Sequence, residues 1–257
     1  MDSAQSQESI IALDGWLGTA PGAYVRAWEQ ACLDELTADI FGFNALQVGL
    51  PQIDALAANR MPHKWLAATR TSSGEQLADV PGGRQVAVAL DFAELPFASH
   101  SLDLVVMPHV LEFAEEPHQV LREVERVLIP GGQLIICGFN PASLWGARQY
   151  TGRPLRSPYL PAAGEFISMP RMKDWLKLLN LAPARTSYGC YAPAYRSALW
   201  LQRSRFMERA GQRWWPYFGA VYIVQAVKRV KGMTLVGPAW NKKKAKAPQA
   251  VPATNRK

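Results

Sequence analysis

Residues 45–54 read A-L-Q-V-G-L-P-Q-I-D, an apolar run that climbs to a single glycine, Gly49, and then meets a proline. A strand that ends this way is how a doubly wound sheet meets a nucleotide or phosphate, because ligands of open parallel sheets sit beyond the carboxyl ends of the strands. The glycines such a loop uses are nearly absent. Pro51 offers no N–H and Ile53 carries a branched Cβ where backbone would have to come close. Two more apolar runs end in residues that could do chemistry: Q-V-A-V-A-L closes on Asp91 and Phe92, and L-D-L-V-V-M is followed by His109. A carboxylate at a sheet rim accepts hydrogen bonds, a ring beside it packs on a flat ligand, and a histidine can move a proton near neutral pH. Cys32, Cys137 and Cys190 lie far apart with no CxxC or Cys/His metal spacing. They read as reduced thiols of a cytoplasmic protein, and no metal site is expected.

The elements that must position these residues alternate. A helix is expected over 24–41, a strand over 45–48, a short helix over 54–58, and strands over 64–69, 85–90 and 102–107. A helix over 116–128 follows, with Pro117 in its first turn and Val120, Leu121, Val124, Val127 and Leu128 inward. Pro130-Gly131-Gly132 turns the chain into a strand over 133–138. Strands alternating with helices imply an α/β fold with a mainly parallel sheet and right-handed crossovers. Beyond the strand over 133–138, Asn140-Pro141-Ala142-Ser143-Leu144-Trp145-Gly146 is expected to open a helix running toward Tyr150, with helices over 170–179 and over 195–213 and a late strand over 219–227.

The stretch D-F-A-E-L-P-F-A-S-H-S-L-D-L-V-V-M-P-H-V-L-E-F, continuing to E-V-E-R-V-L-I-P-G-G-Q-L-I-I, resembles the class I S-adenosylmethionine-dependent methyltransferases, in particular their type 11 group. Asp91-Phe92, Leu95-Pro96-Phe97, Ser101-Leu102-Asp103, His109 and Pro130-Gly131-Gly132 match that family in order and spacing over roughly residues 40–140. The resemblance implies a Rossmann-like methyltransferase fold, with an antiparallel last strand and helices on both faces. It implies S-adenosylmethionine as cofactor. Asp91 would accept from the adenine amino group, and Phe92 would lend a backbone N–H and a ring. His109 is the candidate general base.

The same resemblance exposes two departures. The family's first motif, an acid followed by glycine at alternate positions, falls on Gln47, Gly49, Pro51 and Ile53. Gln47 is then a cofactor partner without charge, and Gly49 the one glycine kept. Where an acid usually grips the ribose, this chain has Thr69, Arg70 and Thr71, with Glu75 several residues late. Two such losses would weaken cofactor binding by about two to four orders of magnitude at about 1.5–3 kcal/mol each. Stretches such as L-Q-V-G-L-P, N-P-A-S-L-W-G and G-A-V-Y-I-V-Q-A-V-K-R resemble a proteobacterial subgroup in which the altered loop recurs.

The whole reads as one methyltransferase-like domain over 1–240, with a core over about 24–140, a substrate and insert region over about 141–240, and a disordered basic tail over 241–257. Asn140 and Trp145 follow the fifth strand and are candidate walls for a small-molecule acceptor; Arg148, Arg153 and Arg156 follow and suit an anionic one. The net charge is +7, split between +13 from Arg196 onward, where Glu208 is the one acid, and −6 over residues 1–195. The late stretch Y-R-S-A-L-W-L-Q-R-S-R-F-M-E-R-A-G-Q-R-W-W-P-Y-F-G mixes arginines with aromatics. It fits a helix packed on the sheet with its arginines in water, or an interfacial helix on an anionic membrane surface. Nucleic acid is the weakest partner, resting on charge without a binding motif. The absence of about 18 consecutive apolar residues and of a basic start argues against a membrane span and a secretory signal. The alternative to an enzyme is a non-catalytic scaffold on the same fold that binds a partner or anionic membrane through the basic C-terminal third; the altered loop favours it.

Overall fold

The computed structural model describes residues 13, 15–68, 88–89, 92–152, 159–160 and 164–229. Helix α1, Ala20–Ala38, starts where Thr19 accepts the Gly22 N–H at 3.4 Å and Pro21 fills the first turn. Its inner stripe is Val25, Glu29, Leu33 and Leu36, a spacing of three to four that contains one acid. Strands β1 (Asn44–Val48), β2 (His63–Ala68), β3 (Val88–Ala89), β4 (Leu102–Pro108) and β5 (Leu128–Phe139) are mutually parallel where they pair. Helix α2, Pro117–Val127, crosses from β4 to β5. After β5 come α3 (Leu144–Gly152), α4 (Met169–Leu178), β6 (Leu181–Gly189), α5 (Ala198–Arg203), α6 (Phe206–Trp214) and β7 (Val221–Lys228). The seven strands lie in the order β3-β2-β1-β4-β5-β7-β6, with β7 antiparallel to both neighbours. This is the mainly parallel, Rossmann-like sheet expected from the residues.

Successive side chains of a strand point to opposite faces. Leu46, Val105 and Ile136 accordingly pack with Val124, Met172 and Leu176 from α2 and α4. Ala45, Val106, Ile135 and Cys137 pack on the other face with Val25, Leu33 and Leu36 from α1. Covering on both faces is why these strands read as nearly continuous apolar runs. The order of the strands reverses between β1 and β4, so the carboxyl ends of β1 and β4 meet at the switch point where such folds place their ligands.

Three local expectations are corrected. Residues 54–58 form turns, not a helix. Pro130-Gly131-Gly132 runs inside β5, with Gly131 at φ +84° and a register irregularity against β4 near Leu102. The helix expected over 195–213 is two, α5 and α6, broken at Ser204-Arg205 so that the buried Ser204 and the inward Glu208 both reach the body of the molecule. The tail over 241–257 lies outside the described residues.

Strand β6 ends against α1 without a gap. A Cβ on Gly189 would lie 1.9 Å from Trp28 Cε2. Gly189→Ala is therefore expected to destabilise the fold by about 1–3 kcal/mol through overpacking, measured as a lower urea midpoint with unchanged slope.

Candidate functional site at the switch point

The β1 exit is built around one amide. Gly49 takes φ +78° and donates its N–H to Ala67 O at 2.7 Å, which bends the chain over the end of β2; Leu50 follows at φ +32°. The fully buried Gln47 side chain fills the bend. Its Nε2 donates to Leu50 O at 3.1 Å and Ile53 O at 2.7 Å, and its Oε1 accepts the Ala55 N–H at 3.1 Å. Gln30 of α1 ties down the far end, accepting from Asp54 N–H at 3.0 Å and donating to Asp54 O at 2.8 Å. Gln47, expected to face a cofactor, instead holds the loop together, and the reason is chemical. A carboxylate there would meet two carbonyl oxygens, whereas an amide offers them a donor and still accepts one N–H.

Phe92 stands beside Gly49. The ring is 7% exposed, and its tip lies 4.0 Å from where a Cβ on Gly49 would be; Val110 Cγ2 lies 2.8 Å from the same point. Only glycine fits; besides these two side chains, the Pro108 carbonyl oxygen lies 3.8 Å from that point. Asp91, Thr69, Arg70, Thr71 and Glu75 lie outside the described residues.

His109 follows β4 at φ +52°, a left-handed conformation that histidine tolerates better than most residues. It is 1% exposed, with both ring nitrogens engaged: Nε2 to Glu29 Oε1 at 2.7 Å and Nδ1 to Glu112 Oε2 at 2.9 Å. Glu112 also accepts the Phe139 N–H through Oε1, and the Phe139 ring lies 4.2 Å from the imidazole. Burial opposes a charge on the ring, but Glu29 and Glu112 outweigh it and push the His109 pKa up to about 10. Burial raises that of Glu112. His109, the candidate general base, has both ring nitrogens occupied in this geometry, and the contacts tie α1 to the exits of β4 and β5. Glu29 and Glu112 were not among the candidate residues, although an acid on the inner stripe of α1 needs a partner and so marks itself.

The two acceptor-wall candidates, Asn140 and Trp145, both make buried hydrogen bonds to backbone carbonyls. Asn140 is buried; its Nδ2 donates to Tyr217 O at 2.8 Å and Gly219 O at 3.0 Å, joining the end of β5 to the approach of β7. Trp145, 1% exposed, donates its indole N–H to Ala192 O at 2.7 Å and packs among Trp16, Tyr24 and Tyr159. It also lines a mainly apolar cleft of about 370 Å³, with Leu144, Tyr191, Trp215 and Phe218. Arg148 lies over the Tyr159 ring at 4.8 Å and donates to Ala194 O; Arg153 and Arg156 lie outside the described residues.

Residues 54–136 match a family model described as a methyltransferase domain, and they lie within a sheet of Rossmann-like strand order. Among particular proteins, it is similar over its whole length to the uncharacterized protein YafS of Escherichia coli, 28% identical over 99% of this chain and 97% of that one. Among solved structures it is similar to a SAM-dependent methyltransferase from Thermotoga maritima, with 14% identity, TM-score 0.57, and coverage of 80% of this chain and 92% of that one. The [4+2]-cyclase SpnF has the same fold at 18% identity and TM-score 0.52, covering 78% and 80% of the two chains. These structural likenesses establish the fold; the chemistry rests on the site. Among the described residues no helix is long and apolar enough to cross a membrane.

Two outcomes are expected. Gln47→Glu buries a carboxylate against two carbonyls and should destabilise the protein by about 3–5 kcal/mol at neutral pH, the deficit shrinking toward acid as the carboxyl protonates. Urea denaturation at two pH values measures both. For His109, a folded pKa of about 10 against about 6.5 unfolded means that its contribution is complete below about pH 6.5 and is lost as pH rises toward 10. Its ¹⁵N ring signals should stay those of an imidazolium from pH 6 to 8, roughly the range in which a free histidine titrates; a midpoint near 6.5 would remove the clamp.

Proposed function

We propose that this chain transfers the methyl group of S-adenosylmethionine to a small-molecule acceptor. The observation that carries the reading is the left-handed Gly49 at the exit of β1 with Phe92 directly beside it, at the switch point of a methyltransferase-domain sheet. In this reading S-adenosylmethionine would lie across the rim at the exits of β1 and β4. The apolar floor of Phe92 and Gly49 suits a flat purine, and Asp91, next in sequence to Phe92, would accept from its amino group. The methionine end finds no charged partner in Gln47, whose amide belongs to the loop.

When bound, the cofactor supplies an activated methyl group on a sulfonium. The work left to the protein is to orient the two reactants and keep water out. Phe92, Leu95 and Val110 belong to the buried core beneath the rim and would give it a rigid apolar support. The His109 clamp fixes the exits of β4 and β5 at a constant separation. Because both ring nitrogens of His109 are engaged by Glu29 and Glu112, the acceptor in this reading is one that needs no proton removed by this ring. The cleft beside Trp145 is the apolar space on which such an acceptor would rest.

A second reading has its own observation. The Gln47 amide and the close packing of Val110 and Phe92 on Gly49 are also what a non-catalytic scaffold would keep after losing its cofactor. Titration calorimetry with S-adenosylmethionine and S-adenosylhomocysteine separates the two. Methyl transfer predicts binding in the micromolar range, weakened at least about tenfold by Asp91→Ala, the loss of one charge-assisted hydrogen bond. No heat at millimolar ligand would establish the scaffold.

A further inference from the structure

The segment from Tyr195 to Phe218 leaves an unusual surface in water. Leu199 is 68% exposed, Trp200 52%, Phe206 71%, Trp214 74%, Tyr217 69% and Phe218 55%. Single exposed apolar residues are ordinary on a soluble protein; a run of them on adjoining elements is not. Contacts join this run into one surface. Tyr195 lies 5.8 Å from Trp200, Arg205, Phe206 and Arg209 line one groove, and Trp215 and Phe218 meet Leu144 of α3 across the apolar cleft.

Arg196, Arg203, Arg205, Arg209 and Arg213 are exposed on the same segment. Arg203 lies over the Trp200 ring at 5.3 Å, leaving its charge beside the aromatic face rather than in an ion pair. Glu208, the one acid from Arg196 onward, turns inward: it accepts from the Tyr24 hydroxyl and from Tyr191 N–H at 3.0 Å, and burial raises its pKa. The outward face therefore carries five arginines and large apolar groups against a single acid, Glu208, which lies half-buried in the groove of Arg205, Phe206 and Arg209 with its carboxylate engaged. Phe206, Arg209 and Arg213 stand at i, i+3 and i+7 on α6, so charge and ring share one stripe.

We propose that this face docks on an anionic phospholipid surface, the aromatic and leucine side chains entering the headgroup boundary and the arginines pairing with lipid phosphates. Tryptophan and tyrosine favour that boundary because one end is apolar and the other polar. Charge complementarity selects the occupant. A second copy of the chain would bring five arginines against five. A single-stranded nucleic acid would satisfy the arginines and stack on the rings, but it offers nothing to the aliphatic Leu199 and Leu144, which are 68% and 59% exposed.

The test uses the full chain, without cofactor, so its result is independent of methyl transfer. The protein should sediment with phosphatidylcholine vesicles containing phosphatidylglycerol and not with phosphatidylcholine alone. Its tryptophan emission should shift to the blue on binding, and high salt should release it. The triple variant Arg203→Ser/Arg209→Ser/Arg213→Ser should partition about 100-fold less well, at about a factor of five per arginine. The pair Phe206→Ser/Trp214→Ser should bind weakly and lose part of the blue shift. All five positions are exposed, so circular dichroism and melting should match the parent. Failure to sediment with anionic vesicles overturns the proposal. So does sedimentation undiminished in both variants, which would assign binding to the lysine-rich C terminus. Binding of a single-stranded oligonucleotide, lost in these variants while vesicles are ignored, would overturn it in favour of nucleic acid.

Discussion

The ion cluster Glu29–His109–Glu112 is the constraint on which the rest of the rim depends. Three ionisable groups sit in the interior, drawn from α1, from the exit of β4 and from the turn after it, and each has the others for neighbours. Two carboxylates without the imidazolium would be uncompensated charges in a medium that solvates them poorly. The cluster therefore forms whole or not at all. Glu112 carries the constraint further by accepting the Phe139 N–H, which sets the end of β5 relative to the end of β4. The left-handed backbone of His109 is a strained conformation that persists because both ring nitrogens and the His109 N–H, bonded to Cys137 O at 3.0 Å, over-determine it.

Around this fixed point the β1 loop solves a different problem. A methyltransferase loop of the usual kind leaves backbone N–H groups and an acid facing a ligand. Here the loop turns its polar groups toward Gln47 and Gln30 and its apolar ones, Leu50 and Ile53, toward the core below α1. The neutral amide is well matched to this task, since it both donates and accepts.

Much of the fold was legible because parallel strands buried on both faces leave uninterrupted apolar runs in the chain. Strand β6 was not, for a physical reason. It is an edge strand with Pro183 near its start, a register shift there, and Ala184 and Arg185 exposed. None of this leaves a run, and Pro183 sits where an edge can do without an N–H. The break between α5 and α6 was hidden in the same way, because Ser204 and Arg205 are unremarkable in a helix and only the inward pull of Glu208 shows why the chain turns. At the exit of β1 the turn at Gly49 was legible from its type. The buried contacts of His109 were not. Its partner Glu29 is 80 residues away, and only that acid's place among Val25, Leu33 and Leu36 hinted that a buried cation would be found opposite.

The bend held by Gln47 also sets what a change in this loop would cost. Replacing that one residue by an acid sets a carboxylate among carbonyls. A glycine at Ile53 would take a buried side chain out of the core below α1. Each single change leads through a less stable molecule, so the segment from Gln47 to Ala55 behaves as one unit with Gln30, the residue on α1 against which it closes.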